Sequence, residues 1–228
     1  MDKGIGGLTL TDSAGVLVPV SPLRRAKTRL AAVFEPSERA GLVLAMMQDV
    51  IEAIEGAELL DDVLILSDDP RVESIAEDRG LRYITEHPSG DLNTSLRLGT
   101  EEYLSLRKNA PLLILPVDVP LVRSETLDSL VGEALTDGRP SVVACPSENR
   151  GTNALLRKPP NVISPSFGPL SFERHREASE RKGVRFVTHR SPELALDIDC
   201  LEDIQRHLMS DRSNHSIRFL RSTGLGKR

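Results

Sequence analysis

Apolar residues along this chain fall into short unbroken runs closed by proline, glycine or aspartate and longer stretches in which they recur every three or four positions. Ala14–Val20 reads as a buried first strand, and Pro36–Ile54 as a helix whose apolar face carries Leu42, Val43, Met46, Met47, Val50, Ile51 and Ile54. Asp62–Leu66 is a second strand, closed by Ser67-Asp68-Asp69-Pro70, a turn and helix-start signal. A short helix over Val72–Asp78 ends at Gly80, and Leu81–Ile84 is a third strand. Leu92–Arg107 reads as a helix on the repeat Leu92, Leu96, Leu104, Leu106, and the run from Pro111 to Pro116, the most hydrophobic in the chain, is expected to lie centrally in a sheet. A helix over Ser124–Thr136 capped by Ser124, strands at Ser141–Cys145 and Ala154–Arg157, a polar helix opened by Phe167-Gly-Pro-Leu-Ser, a strand at Val184–Val187 and a helix at Leu201–Met209 complete the order.

Strand and helix alternate, which implies an α/β fold: three layers, with helices on both faces of a mostly parallel twisted sheet. The expected organisation is a single domain over residues 14–209, with an N-terminal extension over 1–13 and a C-terminal tail over 210–228. The tail carries Arg212, Arg218, Arg221, Lys227 and Arg228, and its one periodic fragment is Ile217-Arg-Phe-Leu, so it is either an extra docking element or disordered. At 228 residues, 39% hydrophobic and 28% charged, the chain can bury a core and stay soluble. A net charge of −5 argues against nucleic acid spread over a whole face. No membrane span is expected, since no run of about 18 apolar residues occurs, and residues 1–13 lack the build of a signal peptide, so the expected location is the cytoplasm. Cys145 and Cys200 read as two ordinary buried thiols.

Against that acidic balance, one segment stands out. In PVSPLRRAKTRL, residues 19 to 30, four cationic side chains at Arg24, Arg25, Lys27 and Arg29 follow the first strand directly and precede a helix. Like charges so close ask for an anion, although a solvated charged loop is the bland alternative. The glycines of a Walker A loop or a dinucleotide fingerprint are missing. In LPVDVPL, Asp118 sits just past the central strand between two prolines, either as a turn residue or as the seat of a divalent cation bridging phosphates. In ALDID, Asp197 and Asp199 share one side of an extended segment while Ile198 faces the core, and Asp199 is a metal ligand or the cap of the helix after it. In RGTN and FGPLS, Gly168 and Pro169 have the pattern of a cap and first helical residue, with Ser171 capping or contributing to an anion pocket, and Thr152 and Asn153 adding a hydroxyl and an amide near the same rim. His87, His175, His189, His207 and His215 show no metal spacing and are read as surface or core residues.

Together, PVSPLRRAKTRL, LPVDVPL, RGTNALL, SFGPLSFERH and ALDIDCLEDI resemble, in order and spacing, the 2-phospho-L-lactate or phosphoenolpyruvate guanylyltransferases of coenzyme F-420 biosynthesis, over about residues 14 to 209. The resemblance implies a GT-A-like, Rossmann-like nucleotidyltransferase that moves GMP from GTP, with magnesium, to the phosphate of a three-carbon acid and releases pyrophosphate. It implies that Lys27 and Arg29 hold the triphosphate, that Asp118, Asp197 and Asp199 seat the metal, that Thr152, Gly168 and Ser171 contact the acceptor phosphate, and that the segment with Gly90 and Asn93 meets guanine and ribose. The family's usual lysine-serine pair appears here as Lys27-Thr28, which keeps the hydroxyl. The partners implied are small molecules rather than nucleic acid or membrane, with a homodimer left open. Rival readings are a molybdenum-cofactor or sugar-phosphate nucleotidyltransferase, disfavoured because no glycine occurs between Gly15 and Gly41, and a non-catalytic nucleotide-binding relative.

Overall fold

The computed structural model describes residues 13–87 and 90–224. Residues 1–12, nearly the whole expected N-terminal extension, lie outside them, as do Lys227 and Arg228 of the tail. The strands are β1 (Ala14–Pro19), β2 (Leu60–Ser67), β3 (Arg82–Thr85), β4 (Leu112–Ile114), β5 (Ser141–Pro146), β6 (Thr152–Lys158) and β7 (Arg185–Thr188). The helices are α1 (Pro36–Glu55), α2 (Pro70–Asp78), α3 (Leu92–Leu106), α4 (Ser124–Leu135), α5 (Ser171–Arg181), α6 (Pro192–Ala195), α7 (Leu201–Leu208) and α8 (His215–Ser222).

The strands form one sheet in the order β3-β2-β1-β4-β6-β5-β7, so the most apolar run does lie at its centre. β1 pairs in parallel with β2 and β4, β2 with β3, and β5 with β7, whereas β6 runs antiparallel to β4 and β5. Because β6 is reversed, its first residue, Thr152, lies against Pro146 at the end of β5. A segment that a purely parallel sheet would send to the far edge is thereby returned to the edge where parallel strands present their carboxyl ends. Side chains alternate across the pleat. Val16, Leu113, Val143 and Leu156 enter a core under α1, α4 and α7, while Leu17, Leu112, Val142 and Leu155 enter a second core under α3 and α5.

Three local expectations are corrected. In α3 the buried face is Ser95, Leu96, Gly99, Thr100 and Tyr103, whereas Leu92 and Leu106 are exposed. Small residues win that face because the helix lies hard against β1: a side chain at Gly99 would come within 2.9 Å of Leu17. Ser124 is the first residue of α4 rather than its cap, which falls at Arg123 with no side-chain bond. Finally, α5 begins at Ser171, with Leu170 as cap in the left-handed conformation, so Pro169 precedes the helix instead of opening it.

The tail is a docking element. From α8, Ile217 and Leu220 are fully buried, and the Phe219 ring fills the space left above Gly41 of α1, where an added Cβ would sit 2.6 Å away from it. His207 of α7 meets the Ser216 hydroxyl at 2.8 Å. His207 and His175 are both inaccessible to solvent, and burial pushes each imidazole down to about 4. A histidine depressed in the folded state binds its proton more readily when unfolded, so the stability it contributes is present above about pH 6.5 and is lost as pH falls toward about 4. Urea-unfolding midpoints should therefore drop through that window by the equivalent of roughly 3 kcal/mol per histidine. His207→Gln should flatten the slope by about half, and an unchanged slope in that variant would contradict this origin.

Candidate active site

The loop after β1 is made of two tight turns, Leu23–Arg25 and Thr28–Leu30, anchored by Leu23 and Leu30, which are buried. The Arg39 guanidinium of α1 donates to the Ala26 and Phe34 carbonyls at 3.2 and 2.8 Å and fixes the backbone around the turns. Between them stands Lys27 with φ of +49°, a left-handed conformation that costs a non-glycine residue about 1 kcal/mol or more. The strained backbone turns its side chain inward, where it is 7% exposed and its Nζ lies 3.0 Å from both Asp118 Oδ1 and Asp199 Oδ1. Arg29 reaches Asp199 Oδ2 at 3.3 Å from a largely exposed position. Arg24 leaves the group to pair with Asp68, while Arg25 stays on the cleft wall. The basic segment thus meets part of its counter-charge within the chain itself.

Asp118 follows β4, and its carbonyl accepts from the Ile198 amide at 3.0 Å, so the two acidic segments are stitched together through backbone while Ile198 is buried. The alternative left open for Asp199 closes here. The cap of α7 is Cys200, Asp203 accepts from the Asp199 and Cys200 amides at 2.9 Å each, and the Asp199 carboxylate is left to face Lys27 and Arg29. Cys200, expected to be buried, is only half-buried at that cap, while Cys145 is buried as expected. Asp197 Oδ1 accepts from the Asn153 amide at 3.2 Å. Burial raises the Asp197 carboxyl above its ordinary value, the Asn153 bond opposes this, and the charges of Asp199 and Asp118 add to the rise. Burial by itself would lower the Lys27 ammonium, but Asp118 and Asp199 overcome it and hold the pKa above the usual lysine value. Lys27 is accordingly charged.

Across the cleft, Thr152 begins β6 and Ser171 begins α5, and the Ser171 hydroxyl lies 3.1 Å from Thr152 Oγ1. Ser171 is therefore not a helix cap. Gly168 has φ of +120°, a region open in practice only to glycine, and its carbonyl accepts from the Ser171 amide at 3.1 Å, closing the turn that delivers the start of α5. Behind the hydroxyls, His175 Nδ1 is 3.1 Å from Thr152 Oγ1, and Nε2 accepts from the Ser166 amide at 2.9 Å. Lys27, Arg29, Asp118, Thr152, Gly168, Ser171, Asp197 and Asp199 all line one cavity of about 730 Å³, together with Asn153 and Ser147.

Two of the expected residues are not brought to that cavity. The Asn93 side chain donates to the Phe167 carbonyl at 3.0 Å and accepts from the Phe167 amide at 2.7 Å, so both ends of its amide are committed to holding the loop that carries Gly168. Gly90, at φ of +64°, closes a turn onto the His87 carbonyl, and the residue of this segment that reaches the cavity wall is Leu92. Asn153 and His175 have roles that sequence pattern does not reveal, because their partners lie 44 and 23 positions away and leave no spacing to read.

Among the described residues no three or more His, Cys, Asp and Glu side chains gather closely enough to make a self-sufficient metal site. Asp118 and Asp199 each direct an oxygen at Lys27, and the Asp197 carboxylate is destabilised as an anion by burial first and by its acidic neighbours second. Carboxylate oxygens are hard donors, so Asp118, Asp197 and Asp199 fit a hard cation such as magnesium better than a soft or closed structural metal.

Residues 14–227 match the family described as guanylyl transferase CofC like. The chain is 40% identical over 194 residues, 85% of its length and 93% of the other, to a protein of Rubrobacter xylanophilus named phosphoenolpyruvate guanylyltransferase. It is 32% identical over 205 residues, 90% of its length and 88% of the other, to a protein of Methanothermobacter thermautotrophicus named 2-phospho-L-lactate guanylyltransferase. Among solved structures it shares its fold, at 17% identity and a TM-score of 0.63, with a nucleotidyl transferase from Methanothermobacter thermautotrophicus, covering 92% of this chain and 99% of that one.

Proposed function

The chain belongs to the family of CofC-like guanylyl transferases, and from that membership we propose that it transfers GMP from GTP to the phosphate of phosphoenolpyruvate, releasing pyrophosphate, as a step of coenzyme F-420 biosynthesis. Phosphoenolpyruvate is preferred over 2-phospho-L-lactate because three relatives named for the former are 34–40% identical and five named for the latter 26–32%. The observation that carries the reading is the meeting of Lys27 with Asp118 and Asp199 in the same cavity as the Thr152 and Ser171 hydroxyls.

A phosphate monoester with a second pKa near 6 is largely dianionic at neutral pH, so its oxygen can attack the α-phosphorus without a general base. The new bond joins that oxygen to the α-phosphorus, the bond from the α-phosphorus to the bridging oxygen breaks, and pyrophosphate leaves with the electron pair. The obstacle is repulsion between two anions, which at a few ångströms amounts to several kcal/mol at an intermediate dielectric. Lys27 supplies a fixed positive charge at the centre of the cleft, and Arg25 and Arg29 add mobile charge at its wall for the departing pyrophosphate. Thr152, Ser171 and the backbone at Gly168 hold the acceptor phosphate, aided by the first-turn amides of α5. Asp118, Asp197 and Asp199 would hold magnesium, which when bound neutralises phosphate charge. Guanine is read by backbone around Leu92 rather than by the Asn93 side chain, which Phe167 occupies.

The test offers phosphoenolpyruvate and 2-phospho-L-lactate in turn with each of the four nucleoside triphosphates and follows the diphosphate-linked product by mass spectrometry. The expected result is product with GTP and at least tenfold faster turnover of phosphoenolpyruvate, roughly the discrimination one well-placed contact provides. Equal or better use of 2-phospho-L-lactate overturns the choice of acceptor, and product from another triphosphate overturns the choice of donor.

A further inference from the structure

His175 lies behind the two hydroxyls without touching the cavity, and its hydrogen bonds have a direction. A backbone amide can only donate, so the 2.9 Å contact from the Ser166 amide requires His175 Nε2 to be the unprotonated nitrogen. The proton of the neutral ring is then on Nδ1 and is donated to Thr152 Oγ1 at 3.1 Å. Thr152 and Ser171 own two hydroxyl protons between them, and only one can be used in their mutual 3.1 Å contact. With the Thr152 oxygen already accepting from the ring, the remaining proton has no acceptor within the group and is directed into the cavity. The opposite tautomer reverses this: Nδ1 would accept from Thr152, Thr152 from Ser171, and the pair would present lone pairs to an incoming anion.

The ring is held in its orientation by an edge-to-face contact with Phe167, at 5.4 Å between centroids. It is kept neutral because burial, and then the nearby Arg157 and Arg174 guanidinium groups, push its pKa down to about 4. Arg157 is itself buried, donating to the Ile163 carbonyl and the Thr100 hydroxyl, so its charge is a fixed part of that surrounding.

We propose that His175 is a positioning residue for the acceptor phosphate: locked by the Ser166 amide as the Nδ1–H tautomer, it makes the Thr152–Ser171 pair a hydrogen-bond donor toward an unprotonated phosphate. The inference rests on the proposed acceptor role of Thr152 and Ser171, and it specifies why that pocket takes the dianion.

Two conservative substitutions separate donation from structural support. Glutamine can place an oxygen near the Nε2 position and keep the Ser166 bond but has no donor at Nδ1; asparagine keeps a donor at Nδ1 and gives up Ser166. His175→Gln should raise KM for the phosphorylated acid by about tenfold or more, the worth of one hydrogen bond to a charged group, with KM for GTP within about twofold. His175→Asn should keep acceptor KM within about threefold even if its melting temperature falls. Long-range proton–nitrogen spectra of histidine-labelled wild-type protein should show Nδ1 protonated, a readout that needs no variant to fold. An Nε2–H ring, an acceptor KM unmoved in His175→Gln, parallel rises for acid and GTP, or equal impairment of both variants would each overturn the proposal. Thr152→Val serves as the reference: if it raises acceptor KM while His175→Gln does not, the tautomer argument alone fails, and if it leaves acceptor KM unchanged, the acceptor-site reading fails and the inference with it.

Discussion

Asp118→Asn is expected to lower kcat by about a thousandfold while shifting the melting temperature by only a few degrees, an effect typical of removing a fixed charge aimed at a reacting phosphate. The two outcomes separate because Asp118 contributes to the fold through its backbone, whereas the proposed mechanism uses its carboxylate. Its carbonyl, not its side chain, receives the Ile198 amide that joins the two acidic segments, and asparagine preserves that bond. Its side chain is 38% exposed, so little packing is at stake, and Lys27 retains Asp199 as a partner at 3.0 Å. What is lost is one of three negative groups available to hold a cation, together with part of the field that keeps the Lys27 ammonium charged. Pyrophosphate release measured beside thermal melting checks both halves. Near-normal release from a folded Asp118→Asn protein would remove the carboxylate from the mechanism.

The second large effect concerns the end of the chain. Ending the protein after Met209 is expected to abolish cooperative unfolding at physiological temperature, and Leu220→Ala in the full chain to cost roughly 3 kcal/mol, or about 6–12 °C in melting temperature for a domain of this size. Removing α8 uncovers the apolar face of α1 and withdraws Ile217 and Leu220, each worth roughly 1.5–3 kcal/mol when fully buried. It also strips Asp49, which is 5% exposed, of its bonds from the His215 amide at 2.6 Å, the Ser216 amide at 2.9 Å and the Ser216 hydroxyl at 2.5 Å. A carboxylate left buried without donors is costly, and burial already raises its pKa with those bonds in place. The combined loss is on the order of the whole stability of a typical domain. A truncated protein that melts within a few degrees of the full chain would show that the contact is dispensable, and calorimetry on both forms decides it.

Sequence periodicity locates the seven strands and helices α1 to α5 and α7, because those signals are local, but it misses the four-residue α6. The chain enters and leaves a sheet where apolar runs stop, and proline, glycine and aspartate mark the stops whatever lies opposite. It was less informative wherever the deciding partner was remote. Of the leucines expected to face the core from α3, Leu96 does so while Leu92 and Leu106 are exposed, since the buried face is set by how closely Gly99 lets the helix approach Leu17 of β1. The tail could not be assigned because an eight-residue amphipathic fragment has no meaning until α1 offers it Gly41 and Asp49. The segment with Gly90 and Asn93 is tied to guanine and ribose by resemblance alone, and no local signal announces that the Asn93 side chain fastens Phe167.

The sequence by itself determined the alternating α/β architecture, the presence of a cationic loop after the first strand and of carboxylates after the central strand and before α7, since each is a property of residues near one another in the chain. Only the tertiary structure decided that Lys27 is the point where Asp118 and Asp199 converge, that Asp199 faces the cleft and leaves capping to Cys200, and that Thr152 stands between the Ser171 hydroxyl and the His175 ring. Those outcomes depend on the reversal of β6 and on a left-handed backbone at Lys27, both held by long-range packing. A hydrogen bond across 170 residues is set by where the sheet puts its strand ends, and no local pattern encodes that placement.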